Sequence, residues 1–210
     1  MKHKIDYSLY LVTDREIMAA DTVEECVEQA ILGGCTVVQL REKTASSLEF
    51  YRTALRLRKL TARLGVPLVI NDRADIALAV DADGVHVGQG DLPYEAARRI
   101  VGRGKIVGVS ASNLAQALAA AEMGADYLGV GAMFATDTKG DANLTDMDEL
   151  RRICGKVMIP VVAIGGMNRD TVPLFAGTGI DGIAVVSAIV AHRDAAGAAR
   201  ELKTLIDGIV

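Results

Sequence analysis

Eight short aliphatic runs recur along the chain, and each stops abruptly on polar residues or glycine. Val66-Pro67-Leu68-Val69-Ile70, broken at once by Asn71-Asp72, is the clearest of them. Its apolar residues do not alternate with polar ones, so a strand built from it must be covered on both faces. Pro67 stands near its start, where a missing backbone N–H is tolerated. The other runs lie at 7–13, 35–40, 83–87, 105–109, 126–131, 159–164 and 181–186.

Helix-period segments separate the runs. Asp21 or Thr22 can cap the first, with Glu24 and Glu25 in its opening turn and Gly33-Gly34 as its stop. Ser46 opens a long second helix that closes at Gly65. Further helices are predicted over 73–80, from Pro93 to 101, up to Gly124, over 146–154, from Asn168 to 176 and over 195–206. Eight parallel strands alternating with eight helices in 210 residues predict an α/β chain closed into a (β/α)8 TIM barrel, one domain over 1–210. A doubly wound open sheet is the second choice, and it lacks a Gly-rich dinucleotide turn after its first strand.

Composition removes several classes of function. The net charge is −4 and no basic stretch stands out, so a nucleic-acid footprint is missing. Aromatic residues make up 4% and there is no Trp, which disfavours base-stacking platforms. No apolar run approaches the ~20 residues of a membrane span. The amino end, Met1-Lys2-His3-Lys4, lacks an apolar secretory core behind it. A cytoplasmic protein is therefore expected. Three cysteines, Cys26, Cys35 and Cys154, have no C-x-x-C spacing and are expected to be small buried residues.

In a barrel the C-terminal strand ends share one face, where active sites are built. That face would collect Gln39, Arg41 and Lys43, then Asn71 and Asp72, then Gln89 and Asp91, then Ser110. The longest connection, 132–145, adds Thr136, Thr138 and Lys139, and long loops are commonly functional. Gly165-Gly166 and Val186-Ser187 follow strands seven and eight, the recurrent phosphate site of such barrels. Three cations around it suggest a more highly charged group such as a diphosphate. Asp72 and Asp91 could bridge to that group through Mg2+, act as an acid/base pair, or pair with Arg41 and Lys43. Asp72 could equally be no more than an N-cap for the helix behind it. His86, between Val85 and Val87, reads as a satisfied interior histidine rather than a catalyst.

Taken in order, several segments resemble the thiamine-phosphate synthase family: Tyr10-Leu11-Val12-Thr13-Asp14, Gln39-Leu40-Arg41-Glu42-Lys43, Asn71-Asp72-Arg73, Gly84-Val85-His86-Val87-Gly88-Gln89 with Asp91, Gly108-Val109-Ser110, Gly129-Val130-Gly131, Thr136-Asp137-Thr138-Lys139, Ala163-Ile164-Gly165-Gly166 and Val185-Val186-Ser187-Ala188-Ile189. They cover nearly the whole chain.

The resemblance implies coupling of a hydroxymethylpyrimidine diphosphate with a thiazole phosphate. It implies that Gln39, Leu40, Arg41, Glu42, Lys43, Asn71, Ser110 and Lys139 hold the pyrimidine diphosphate, with Ser110, Lys139, Arg41 and Lys43 as the catalytic set. It implies Asp72 and Asp91 as Mg2+ ligands. Thr136, Asp137, Thr138, Gly166, Val186 and Ser187 would hold the thiazole phosphate. Small molecules are the expected partners, without nucleic acid or membrane, and a homo-oligomer is an expectation from the resemblance alone. The chain departs from the family's pattern at Ala132 and Ala135, where prolines are common, and at Ser112, where a histidine is common. The alternatives are a thiazole tautomerase, against which Ser112 counts, and a non-catalytic protein that binds a thiamine-precursor phosphate.

Overall fold

A computed structural model describes residues 5–135 and 144–210. Eight parallel strands close into a barrel in sequence order: β1 (Leu9–Val12), β2 (Val37–Leu40), β3 (Leu68–Asn71), β4 (Gly84–Val87), β5 (Ile106–Ala111), β6 (Tyr127–Val130), β7 (Val161–Ile164) and β8 (Gly182–Val185), with β8 pairing back onto β1. The helices are α1 (Val23–Leu32), α2 (Ser47–Leu64), α3 (Ala74–Ala79), α4 (Tyr94–Val101), α5 (Leu114–Met123), α6 (Met147–Cys154), α7 (Ser187–Val190) and α8 (Ala195–Ile206). None of them is long and apolar enough to cross a membrane.

The helix starts follow local chemistry. Thr22 caps α1 by accepting from the Glu25 N–H. Ser46 and Glu49 form a reciprocal capping box on α2. Gly65 and Gly124, both left-handed, end α2 and α5. One expectation fails. The segment after β7 holds only a 3-10 turn, Val172–Phe175, because Asn168 Oδ1 accepts from the Asp170 and Thr171 N–H groups and closes a local turn instead of capping a long helix. A short helix, α7, begins at Ser187 instead and fills the connection after β8.

Two cores result. One lies between the strands and the helices and holds Leu11, Leu40, Leu57, Leu68 and Leu128, all fully buried. The other fills the barrel with Tyr7, Tyr10, Val12, Val37, Val69, Ile106, Tyr127, Val162 and Ala184. Tyr127 occupies so much of the interior that the paired position on β5 must be empty: a Cβ on Gly108 would lie 2.2 Å from its ring. Cys26 and Cys35 are buried and Cys154 half-buried, all as free thiols.

The closed end of the barrel shows a fourfold repeat. The residue ahead of each even strand exchanges two hydrogen bonds with a residue of the odd strand before it. Thr36 donates its N–H to the Leu9 carbonyl and accepts the Leu9 N–H on its hydroxyl. Asp83 does the same with Leu68, Asp126 with Val107 and Asp181 with Val161, the carboxylates accepting at 2.8, 2.9 and 2.9 Å. Each pair satisfies a strand N–H below the last ladder rung, where an unpaired donor would cost ~1–3 kcal/mol.

Candidate active site

The opposite end opens into a cavity of about 200 Å³. Its walls bring together Gln39, Arg41, Lys43, Asn71, Asp72, Asp91, Ser110, Gly166, Val186 and Ser187, each expected there from the sequence. Tyr10, His86 and Tyr127 also line it. Thr136, Asp137, Thr138 and Lys139 lie outside the described residues.

Leu40 and Glu42 do not line the cavity. Strand alternation turns Leu40 outward into the layer beneath the helices, where it is fully buried. The Glu42 carboxylate turns back to Arg15, which donates from Nη2 at 2.6 Å. Arg41 is oriented by Asp14, which accepts from its Nη1 at 2.9 Å. Asp14 is largely buried, and its role as the anchor of Arg41 was missed because it reads only as the end of β1.

Asp72 is the most unusual residue of the mouth. Its backbone is left-handed, with φ 62°, a conformation that Asp and Asn tolerate better than most residues. It does not cap α3: that helix starts at an Arg73 cap without a side-chain bond. Its carboxylate instead accepts from Lys43 Nζ at 2.5 Å and from the Asn71 amide, and lines the same cavity as Asp91. Burial raises the Asp72 pKa, and the facing Asp91 carboxylate adds to the rise against the opposing pull of Lys43. Asp91 is itself held by the Gly88 N–H, which donates to Oδ2 at 2.8 Å.

Two carboxylates that line the same mouth, Asp72 and Asp91, offer oxygen donors that fit a hard divalent cation. Mg2+ typically takes one or two carboxylates and completes its shell with substrate oxygens and water. Among the described residues no group of three or more His, Cys, Asp or Glu gathers as a metal site.

Across the mouth, Gly165 and Gly166 have φ of 101° and 69°. A Cβ on either would meet Ala132 at 2.8 Å or Phe134 at 2.7 Å, so the loop after β6 packs directly on their backbone. That packing demands glycine whether or not an anion binds. The side-chain-free turn then lines the cavity beside Ser187.

Below these groups runs a chain of hydrogen bonds that the sequence did not reveal. Gln39 Nε2 donates to the Tyr10 hydroxyl at 2.9 Å, and Tyr10 and Tyr127 hydroxyls share a bond of 2.7 Å. His86 Nδ1 meets the Tyr127 hydroxyl at 2.8 Å, and His86 Nε2 meets Ser110 Oγ at 2.9 Å. The interior position of His86 was anticipated. Its tyrosine partners were not, although Gly108 and Gly129 hinted at bulky neighbours: a Cβ on Gly129 would stand 3.0 Å from His86 Cε1.

The thiamine monophosphate synthase family model matches residues 9–189. The thiamine-phosphate synthase of Clostridium beijerinckii is 59% identical over 203 residues, covering 97% of both chains. That of Clostridium botulinum is 58% identical over 207 residues, covering 99% of this chain and 97% of the other. Among solved structures, the thiamine phosphate pyrophosphorylase of Pyrococcus furiosus superposes with a TM-score of 0.91 at 41% identity, covering 98% of each chain.

Proposed function

The chain belongs to the thiamine monophosphate synthase family, and from that premise we propose that its cavity joins 4-amino-2-methyl-5-(diphosphooxymethyl)pyrimidine to a thiazole phosphate, giving thiamine phosphate and diphosphate. The activity, that of a thiamine-phosphate synthase and so a transferase, comes with the family.

The observation that carries the substrate assignment is Asp72. A half-buried carboxylate in a left-handed backbone, beside a second carboxylate and a lysine at the mouth, serves no helix and no core. It suits a diphosphate held through a cation. In this reading Asp72 and Asp91 hold Mg2+, which when bound neutralises charge on the departing diphosphate. Arg41, fixed by Asp14, and Lys43 gather the phosphate oxygens. Lys139 would join them from the loop after β6.

Gln39, Asn71 and Ser110 hold the pyrimidine. Gly166, Val186 and Ser187 hold the thiazole phosphate across the cavity, with Thr136, Asp137 and Thr138 as its further expected ligands. The electron-rich aminopyrimidine stabilises positive charge at its methylene carbon as the C–O bond breaks. The thiazole nitrogen then forms the new C–N bond. That nitrogen carries no proton, so the chain's contribution is alignment and charge stabilisation rather than a general base. The intact arrangement of Lys43, Asp72 and Asp91 favours this reading over the tautomerase, whose single substrate has no diphosphate to hold.

The test is thiamine phosphate formation by the purified protein. Product that needs both substrates, and that a chelator abolishes and Mg2+ restores, is expected. Full turnover in excess chelator would remove the cation from the scheme.

A further inference from the structure

The hydrogen-bond chain beneath the cavity has a direction, and donor counting fixes it. The amide nitrogen of Gln39 can only donate, so the Tyr10 oxygen accepts there. Tyr10 must then send its own proton onward, and among the described residues Tyr127 is the acceptor it meets. Tyr127 in turn has His86 Nδ1 as the acceptor for its proton. A histidine that accepts at Nδ1 carries its proton at Nε2, and that proton goes to Ser110 Oγ. Among the described residues no other acceptor meets Ser110 Oγ, which leaves its hydrogen for a ligand in the cavity. At the other end, the Gln39 side-chain oxygen accepts from no described residue and belongs to a residue that lines the same cavity.

We propose that Tyr10, Tyr127 and His86 are positioning residues that lock the polarity of the two cavity ends, making Ser110 a hydrogen-bond donor and Gln39 an acceptor, and so select an aminopyrimidine over its oxo counterpart. An aminopyrimidine offers a ring nitrogen that accepts and an exocyclic amine that donates. A 4-oxopyrimidine offers the reverse, a ring N–H and a carbonyl. A site with fixed polarity leaves two mismatched buried groups with the second ligand, the situation in which polar discrimination is strongest. Burial raises the pKa of both tyrosines, so neither breaks the chain by ionising near neutral pH. The network is stiff as well as directed, because Tyr127 is wedged against Gly108 and His86 against Gly129. The inference rests on the reading of Gln39 and Ser110 as pyrimidine contacts.

Two measurements on the intact protein test it. The first is the 15N NMR tautomer pattern of the imidazoles. There are three histidines, so His86 is assigned by its absence in His86→Gln. A protonated Nε2 beside an unprotonated Nδ1 is expected in the resting protein; a proton on Nδ1 means that the chain runs the other way and overturns the proposal.

The second is turnover of the amino- and 4-oxo-pyrimidine diphosphates by the wild type, Tyr127→Phe, His86→Gln and His86→Leu. Tyr127→Phe should lower the preference for the amino substrate by about tenfold, the scale of one hydrogen bond lost, with the KM for thiazole phosphate unchanged. His86→Gln keeps an amide donor toward Ser110 and should retain more preference than His86→Leu. Equal losses on both pyrimidines in folded variants would assign the relay a purely structural role and overturn the proposal. A wild type that turns over neither pyrimidine would instead sink the substrate reading, and the imidazole pattern would still decide the polarity.

Discussion

Lys43 Nζ donates to the Asp72 carboxylate at 2.5 Å, so the lysine assigned to phosphate rests on the carboxylate assigned to the cation. In the proposed scheme lysine and cation would compete for one oxygen until a diphosphate arrives and draws the lysine away. Lys43→Met should therefore strengthen Mn2+ binding by several-fold in the absence of substrate, while turnover falls. Both are read by a titration and a rate measurement on the same sample. Weaker cation binding in Lys43→Met would show that the lysine does not occupy the cation's place.

Asp72→Asn is the sharper change at this position. Asn tolerates the left-handed backbone, so the fold should survive with a melting temperature within a few degrees of the wild type. Turnover should fall by about 100-fold or more, corresponding to roughly 3 kcal/mol of lost charge stabilisation. Stopped assays with Mg2+ in excess would measure it.

The closed end of the barrel makes an independent prediction about stability. Asp181→Ala removes the acceptor of the Val161 N–H and should cost about 2 kcal/mol in denaturant unfolding. KM for both substrates should not change, because the bond lies at the end of the barrel away from the cavity. Asp83→Ala should behave alike through Leu68.

Gly108→Ala tests the interior packing. The new methyl would overlap the Tyr127 ring, and overpacking of that kind costs ~1–3 kcal/mol when neighbours cannot yield. Tyr127 is fully buried and bonded to both Tyr10 and His86, so the upper part of that range is expected.

The architecture was readable because strand and helix declare themselves by different periods, and eight short, largely apolar runs separated by helical segments leave few topologies. Boundaries failed where side chains rewrote the backbone locally. Asn168 looked like a helix cap, yet its carbonyl oxygen serves two N–H groups of its own turn. The position of Asp72 was legible but its conformation was not, since nothing in a sequence distinguishes a capping aspartate from one turned toward a second carboxylate. Leu40 was carried into the site by its place inside a motif, and strand alternation turns its side chain the other way. Tyr10 and Tyr127 were hidden for a related reason. They are far apart in sequence, and only closure of the barrel brings their hydroxyls to 2.7 Å.

The most direct measurement of the proposed cation site is Mn2+ binding followed by electron paramagnetic resonance, with and without diphosphate, in the wild type, Asp72→Asn and Asp91→Asn. The account expects one tightly held ion in the wild type when diphosphate is present, and loss of that ion in both variants. Undiminished binding in Asp72→Asn and Asp91→Asn, with diphosphate still bound, would contradict it.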